Sequence, residues 1–172
     1  RDLTLQGVDA LLIDKADYCA GTSAASTRII HGGLRYLENA EFRLVREALR
    51  ERGRLLRNAP HYVKPLPITI PVHNWTSGMI HAIRMFLGLD GKPGQRGALV
   101  LRTGLTLYDA FAGADRGVPS HSYASRGDAL RHRPQLTKDI CCTLSYYDAA
   151  IACPERRGLE LVMDARPDAG PD

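Results

Sequence analysis

Residues 21–38 constrain what this chain can fold into more than any other part of the sequence. Residues 21–27 (GTSAAST) are small and rich in hydroxyl groups, and they lead through two isoleucines to His31, Gly32 and Gly33. Adjacent glycines allow backbone conformations and close approaches that a Cβ atom would prevent. The pattern favours backbone contact with a flat or phosphorylated ligand, and the alternative is an ordinary glycine turn beside a helix cap.

A short apolar segment, residues 8–14 (VDALLID), precedes this run and ends on Asp14. A run of this length predicts a buried parallel strand, and residues 1–6 then form the end of a preceding helix. In dinucleotide-binding folds, an acidic residue that closes the second strand hydrogen-bonds the adenosine ribose. Asp14 stands at that place, although turns also favour aspartate. The glycine fingerprint that would come earlier is not in the chain, so we expect a fragment of a longer protein.

The pattern becomes helical over residues 39–58, with Asn39 as the expected N-cap and Pro60 as the stop. Its apolar face consists of Phe42, Val45, Leu49 and Leu56, joined by Leu44, Ala48 and Leu55. The opposite face is rich in arginine and glutamate. We interpret it as a solvated charged face, with an anion site as the less favoured alternative.

The rest of the chain alternates between strand and helix patterns. In order, the predicted elements are an edge strand at 66–72, a helical hairpin at 79–87 and 99–111, a short helix opened by a capping box at 125–128 and ending before Pro134, a strand at 140–147, and a helix at 154–165 with Pro154 near its first position. Strands mixed with helices in this way predict an α/β fold.

Composition narrows the kinds of partner. The chain has 172 residues, with 23 basic against 19 acidic side chains and only 6% aromatics, and its basic residues are scattered. This argues against a nucleic-acid partner, which usually requires a clustered basic stripe. The four cysteines contain no CxxC motif, which argues against a disulfide framework or a metal site and favours a reducing cytoplasm. No apolar stretch approaches the ~20 residues that span a bilayer, so any membrane contact would be peripheral.

Residues 21–38 resemble the signature of the FAD-dependent glycerol-3-phosphate dehydrogenases. Gly-Thr-Ser, Ser-Thr-Arg, two aliphatic residues and His-Gly-Gly-Leu-Arg-Tyr-Leu-Glu follow one another in the order typical of that family. The resemblance is strong to about Leu66 and thinner beyond, where Tyr108-Asp109 and Tyr147-Asp148 are further landmarks. It implies an FAD-binding Rossmann-like domain of the glutathione-reductase or amino-acid-oxidase type at 1–65. A substrate-domain segment at 66–150 and a return towards the FAD-binding domain at 151–172 would follow.

The activity that this resemblance implies is oxidation of sn-glycerol 3-phosphate to dihydroxyacetone phosphate, with FAD as cofactor and a quinone as electron acceptor. The enzyme would be cytoplasmic or lie peripherally on the cytoplasmic face of the inner membrane, and a homodimer is compatible with it. The helical pair at 79–111 would supply an amphipathic surface for the membrane. An ordinary buried helical hairpin is the alternative.

The resemblance also assigns roles to single residues. Arg35 is expected to bind the substrate phosphate because a guanidinium offers a planar fork of donors, and Tyr36 adds a polar contact beside it. The alternative for Arg35 is a surface ion pair. His31 is placed near the flavin or in proton transfer, with a hydrogen-bonded structural role equally open. Further phosphate ligands and the general base are expected downstream of Asp172. The residues expected to bind the cofactor are Asp14, Thr22, Ser23, Ser26, His31, Gly32 and Gly33.

One departure from the family pattern concerns residues 152–156 (ACPER), where acidic residues followed by Ala-Arg are common. It leaves open another polyol phosphate as the substrate. The alternatives outside the family are another FAD-dependent oxidoreductase, such as an amine or amino-acid oxidase, and a non-catalytic fragment. The glycine loop that normally holds the pyrophosphate of FAD is not in the chain. The chain by itself is therefore expected to be inactive and to retain FAD poorly.

Overall fold

The computed structural model describes residues 2–78, 97–113 and 117–165. The elements in chain order are α1 (Asp2–Leu5), β1 (Ile29–Ile30), a 3-10 helix (Leu34–Asn39), α2 (Phe42–Asn58), β2 (Val63–Val72), α3 (Ala98–Ala112), β3 (Ser122–Ser125), α4 (Arg126–His132), β4 (Cys142–Ile151) and α5 (Pro154–Met163). This alternation of helices and strands confirms the α/β prediction.

Strand β4 is the centre of the sheet, because every other described strand pairs with it and all of these pairs are antiparallel. Along one edge, β2 pairs with β4 from Val63 opposite Ile151 to Val72 opposite Cys142. The other edge is shared by β3, which is opposite residues 142–145, and β1, which is opposite residues 149–150. Residues 146–148 therefore lie between two short neighbours, and the site described below forms there.

The prolines of β2 explain how a strand with this sequence joins a sheet. Successive N–H groups of a strand point to opposite edges, and proline has no N–H to donate. Pro65, Pro67 and Pro71 have the same parity, and β4 lies on only one side of β2. The missing donors therefore belong to the outer edge, and the prediction of an edge strand is confirmed. The strand begins at Val63, three residues earlier than predicted.

Helices α2 and α3 cover one face of β4. Leu105 of α3 packs with Val72, Cys142 and Leu144, while Tyr108 packs with residues of α2. The partners on α2 are Val45 and Leu49, which belong to the predicted apolar face and are buried. Even-numbered residues of β4 thus face the helices, and the alternation of a strand places Asp148 on this same face.

The predicted buried strand at residues 8–14 is wrong. These residues adopt no regular structure, and Leu11 and Ile13 are 85% and 79% exposed. A strand requires hydrogen-bonded neighbours, and the strand pairs of the described residues all involve β4. An apolar run is therefore not sufficient for a strand when no paired neighbour covers it. The end of the helix expected within residues 1–6 is present as α1.

Local signals predicted the helix ends with mixed success. Helix α2 ends at Asn58 before Pro60, as predicted, but it begins after Glu41 because Asn39 belongs to the 3-10 helix. The capping box is confirmed, since the Ser125 hydroxyl accepts a hydrogen bond from the Asp128 N–H at 3.3 Å.

The other predicted elements also have defined outcomes. Helices α3 and α5 are confirmed, and α5 has Pro154 in its first turn. Strand β4 lies two to four residues later than predicted. The helix predicted at 79–87 lies outside the described residues, and so does much of the proposed hairpin. The domain division stays a prediction, and its boundary at residue 65 falls inside β2. None of the helices in the described ranges has the length and apolar character needed to cross a membrane.

We expect Leu105→Ala to lower the free energy of unfolding by about 2–5 kcal/mol, because it leaves a cavity between α3 and the sheet. Leu99→Ala on the same helix is the matched control. Leu99 is exposed, so its replacement should change the free energy by no more than about 0.5 kcal/mol. Urea denaturation of the two variants checks this, and equal losses would contradict the assigned core.

Candidate functional site

The carboxylate of Asp148 is the centre of the candidate site. Strand β1 ends with Ile30 opposite Ala149, so the chain leaves the sheet at residues 31 and 32 directly beside Asp148. Helices α2 and α3 approach from the covered face of β4 and supply Arg52 and Tyr108. Residues distant in sequence therefore converge on one buried side chain.

The two oxygens of Asp148 have different partners. Its Oδ1 accepts hydrogen bonds from the Gly32 N–H at 3.0 Å, the Tyr108 hydroxyl at 3.0 Å and Arg52 Nη1 at 3.3 Å. Its Oδ2 lies 3.1 Å from Nδ1 of His31. The carboxylate thus anchors three donors through one oxygen and a single imidazole through the other.

Arg52 and Tyr108 form the buried support of this carboxylate. Arg52 Nη1 also donates to the Tyr147 carbonyl at 2.6 Å and to the Tyr108 hydroxyl at 2.9 Å. Burial is the main reason that the pKa of Tyr108 is raised well above its ordinary value, so the phenol keeps its proton and can donate to Asp148. Within the described chain, Arg52 Nε has no hydrogen-bond partner although it is buried. The guanidinium of Arg52 therefore makes its hydrogen bonds in this site through Nη1.

His31 combines a buried partner with an accessible ring. Its side chain is 63% exposed, whereas the side chain of Asp148 is 3% exposed. An ionised carboxylate can only accept, so Nδ1 of His31 acts as the donor in this contact. Nε2 is then the remaining nitrogen, and in the neutral imidazole it carries a lone pair. A histidine held in this way can exchange a proton with a small molecule at Nε2.

The two glycines after His31 are required by packing and by backbone conformation. A Cβ atom on Gly32 would collide with the Tyr108 hydroxyl and would lie 2.8 Å from Cδ2 of Leu49. Gly33 has φ 81°, a left-handed conformation, and forms the N-cap of the 3-10 helix. Contacts within the protein therefore account for both glycines. Whether either also contacts a cofactor stays a prediction.

The predicted substrate residues lie immediately after these glycines. Arg35 and Tyr36 belong to the 3-10 helix and are both exposed. The Tyr36 N–H donates to the Gly33 carbonyl at 2.9 Å, which fixes the turn between the two parts of the run. Short sequence separation thus keeps exposed Arg35 near His31 along the chain, and its role in binding a substrate stays a prediction.

The remaining predicted cofactor residues lie on the irregular segment before β1. Asp14 is exposed, and its Oδ1 accepts a hydrogen bond from the Lys15 N–H at 2.6 Å. Thr22 and Ser23 are exposed in a turn, and the Ser26 hydroxyl accepts from the Arg28 N–H at 3.3 Å. This segment leads into the ordered cluster around Asp148 through Ile29–Ile30.

Sequence reasoning missed the support of this site. Asp148 and Tyr108 were recognised only as landmarks, and Arg52 was given no role. The available signal was helical spacing, because Arg52 lies seven residues after Val45 and three after Leu49 on the buried face of α2. A charged residue at such a position requires a buried partner.

Comparison with known proteins places these residues in a family context. Residues 1–168 match the family model described as FAD dependent oxidoreductase. The chain is 40% identical over 167 residues to a glycerol-3-phosphate dehydrogenase of Synechocystis sp., an alignment that covers 96% of this chain and 27% of the relative. It is 35% identical over 155 residues to the mitochondrial glycerol-3-phosphate dehydrogenase of Homo sapiens, covering 86% of the chain and 18% of the relative.

A third relative extends the range of organisms. The glycerol-3-phosphate dehydrogenase of Mycobacterium leprae is 36% identical over 154 residues, which cover 87% of this chain and 23% of that protein. The chain therefore spans about a quarter or less of the length of these relatives.

We expect Gly32→Ala to destabilise the protein by about 1–3 kcal/mol, because the added methyl group overpacks against Tyr108 and Leu49. Gly104→Ala on α3 is the matched control. No atom lies within 4 Å of the position of its added Cβ, so the greater helix propensity of alanine should leave stability equal or raised by up to about 1 kcal/mol. Thermal unfolding of both variants distinguishes the cases, and a neutral Gly32→Ala would contradict the packing described.

Proposed function

Because the chain belongs to the FAD-dependent oxidoreductase family, we propose that the complete protein oxidises sn-glycerol 3-phosphate to dihydroxyacetone phosphate and passes the electrons to a quinone. The printed names of the relatives support this substrate. The structural observation that carries the proposal is an exposed imidazole held on a buried carboxylate, followed within a few residues by exposed Arg35. An acid-base group and a phosphate-binding group are the two things this oxidation requires of the protein.

The exposed residues of the chain fit FAD by the chemistry of their donors and acceptors. Asp14 offers a carboxylate for ribose hydroxyls, and Thr22 and Ser23 offer short hydroxyl groups for phosphate or ribityl oxygens. Ser26 is less open because its oxygen already accepts from the backbone, but a hydroxyl can still donate. Bound FAD would supply the acceptor for the hydride that leaves the carbinol carbon.

The residues of the chain would perform the remaining tasks. Arg35 binds the phosphate through two parallel hydrogen bonds, which fixes the distance and direction of the substrate from the 3-10 helix. Tyr36 contributes a polar contact beside it. His31 accepts the proton of the carbinol hydroxyl at Nε2 as the alcohol becomes a ketone. Positioning is the larger requirement here, because the redox chemistry itself belongs to the cofactor.

The electron acceptor and the location of the enzyme are further parts of this proposal. A quinone dissolved in a membrane calls for an enzyme at the membrane surface, and we place the complete protein in the cytoplasm or on the cytoplasmic face of the inner membrane. Leu99 and Leu107 are exposed on α3, which supports an apolar contact surface on this helix. We propose a homodimer as the assembly.

Replacing Arg35 by lysine in the complete enzyme should reduce kcat/KM for glycerol 3-phosphate about 100-fold while flavin content stays normal. Lysine keeps the charge but cannot form two parallel hydrogen bonds to the phosphate, so the substrate can shift. A displacement of about 1 Å at the reacting carbon can lower the rate about 100-fold. Arg43→Lys is the control, since Arg43 is a well-exposed arginine paired with Glu47 on α2. Flavin absorbance and a dye-linked assay measure both quantities.

Two outcomes would overturn these assignments. Normal turnover of Arg35→Lys together with lost flavin would move Arg35 to the cofactor site. A complete wild-type enzyme that contains FAD and is reduced by an amino acid or amine, but not by glycerol 3-phosphate, would replace the proposed substrate.

For the membrane proposal, we expect the complete protein to float with liposomes that contain anionic lipids. The double variant Leu99→Glu and Leu107→Glu should float less, because burying two charges in the interface is unfavourable. Equal partitioning of wild type and variant would count against α3 as the contact surface. Analytical ultracentrifugation of the detergent-solubilised protein tests the homodimer.

A further inference from the structure

We propose that Asp148 is a positioning residue that fixes the tautomer and orientation of the His31 imidazole, and that Arg52 and Tyr108 hold Asp148 for this purpose. This inference rests on the proposed function for its catalytic consequence. The inference also states which nitrogen of His31 carries the proton, and this can be tested without substrate.

The donors around the carboxylate are distributed unequally between its two oxygens. Three donors converge on Oδ1, from Gly32, Tyr108 and Arg52, and the contact of His31 is to Oδ2. Rotation of the carboxyl group would break bonds to α2, to α3 and to the segment that follows β1. Oδ2 is therefore presented to the imidazole in one fixed direction, as expected of an oriented catalytic partner.

Charge determines which atom donates in the contact with His31. The side chains of Arg52 and Asp148 are 1% and 3% exposed, and their atoms lie 3.3 Å apart. A buried guanidinium stays protonated and favours the ionised form of a neighbouring carboxylate. Tyr108 keeps its proton because burial raises its pKa, so it also donates to Asp148. Every group around Asp148 is a donor, and Nδ1 of His31 must be one as well.

The consequence is a neutral imidazole with its proton on Nδ1 and its lone pair on Nε2. When the substrate is oxidised, the hydroxyl proton passes to Nε2, and bound FAD would supply the acceptor for the hydride of the carbinol C–H bond. The imidazolium that results lies beside a carboxylate that is already ionised. Asp148 thus stabilises the charge that develops on His31 without taking a proton itself.

Other histidine and carboxylate pairs in the described chain show why this one is distinctive. His121 and Asp109 are 2.7 Å apart, but both side chains are only 18% exposed, so the ring is largely covered. His73 and Asp139 are 3.1 Å apart, but that carboxylate is 72% exposed and is not enclosed by other elements as Asp148 is. His31 has both a rigid buried carboxylate and an open ring, which a proton-transfer group requires.

The test uses Asp148→Asn in the complete, FAD-containing enzyme. The amide keeps the shape of the side chain, but its NH₂ group can be turned towards His31 while its oxygen accepts from Arg52 and Gly32. Nδ1 would then become an acceptor and Nε2 would carry the proton. We expect kcat to fall on the order of 100-fold, which is the usual contribution of general base catalysis. KM and flavin content should stay near the wild-type values, and the solvent deuterium isotope effect on kcat should increase.

A spectroscopic reading separates positioning from a merely structural role. In ¹⁵N-histidine-labelled protein, the resonances of His31, assigned by their loss in His31→Gln, should show a protonated Nδ1 in the wild type and a protonated Nε2 in Asp148→Asn. Asp109→Asn is the matched control, because it alters a second, partly buried aspartate and histidine pair. It should change stability without changing kcat, the isotope effect or the His31 resonances.

Each outcome has a defined meaning. A wild-type His31 with its proton on Nε2 would overturn the inference even if Asp148→Asn failed to fold. The inference would also be overturned if the activity of Asp148→Asn fell only as far as its lower melting temperature explains and its isotope effect were unchanged. If the His31 resonances shift as expected but the complete enzyme does not oxidise glycerol 3-phosphate, the proposed function fails while the positioning of His31 stands.

Discussion

The buried ion pair of Arg52 and Asp148 is the interaction on which the arrangement of the other elements depends. It joins α2 to β4, and the Tyr108 hydroxyl adds α3 through bonds to both partners. Removing one member of a buried pair leaves an uncompensated charge, which is destabilising by about 3–5 kcal/mol. The helices therefore cannot slide along the sheet without a large loss of free energy. The Gly32 N–H bond attaches the chain after β1 to the same carboxylate.

A functional site benefits from this rigidity because its reactive group is placed by the fold rather than by its own loop. His31 is exposed, yet its ring is bound to a side chain that α2, α3 and the Gly32 N–H hold in place. The left-handed turn at Gly33 then starts the 3-10 helix that carries Arg35. An acid-base group and a cationic group thus follow each other at a fixed distance along the backbone. The buried polar network supplies order, and in the proposed function the exposed residues supply the chemistry.

The features predicted correctly from the sequence were those determined by near neighbours. The cap at Ser125, the stop before Pro60 and the start at Pro154 each depend on one turn of chain. The edge position of β2 followed from its prolines, which restrict a strand wherever they occur. Strand limits were less accurate, since β4 extends as far as its partners β2 and β1 allow. Pairing between distant residues is not encoded in a local pattern.

The exposed residues of the candidate site were predictable from the sequence, and its buried residues were not. His31, Gly32 and Gly33 were found because they are consecutive and resemble a known signature. Asp148 is 116 residues from Gly32, so no spacing in the sequence links them. Arg52 was overlooked because charged residues on a helix are usually solvated, although its helical spacing placed it among the buried residues Val45 and Leu49.

In residues 8–28, the structure differs from what the composition predicts. Their apolar side chains suggest burial, but Leu11 and Ile13 are exposed. Burying one such side chain is worth about 1.5–3 kcal/mol, and this gain requires a surface that the described elements do not offer to Leu11 or Ile13. The hydroxyl groups of Thr22 and Ser23 are exposed by the same lack of cover. The FAD-binding residues proposed on this segment, Asp14, Thr22, Ser23 and Ser26, therefore depend on contacts outside the Asp148 cluster, whereas the proton-transfer geometry proposed for His31 depends on contacts within it. Changes in one part should consequently alter cofactor content and changes in the other should alter turnover, which gives the two halves of the site separate experimental signatures.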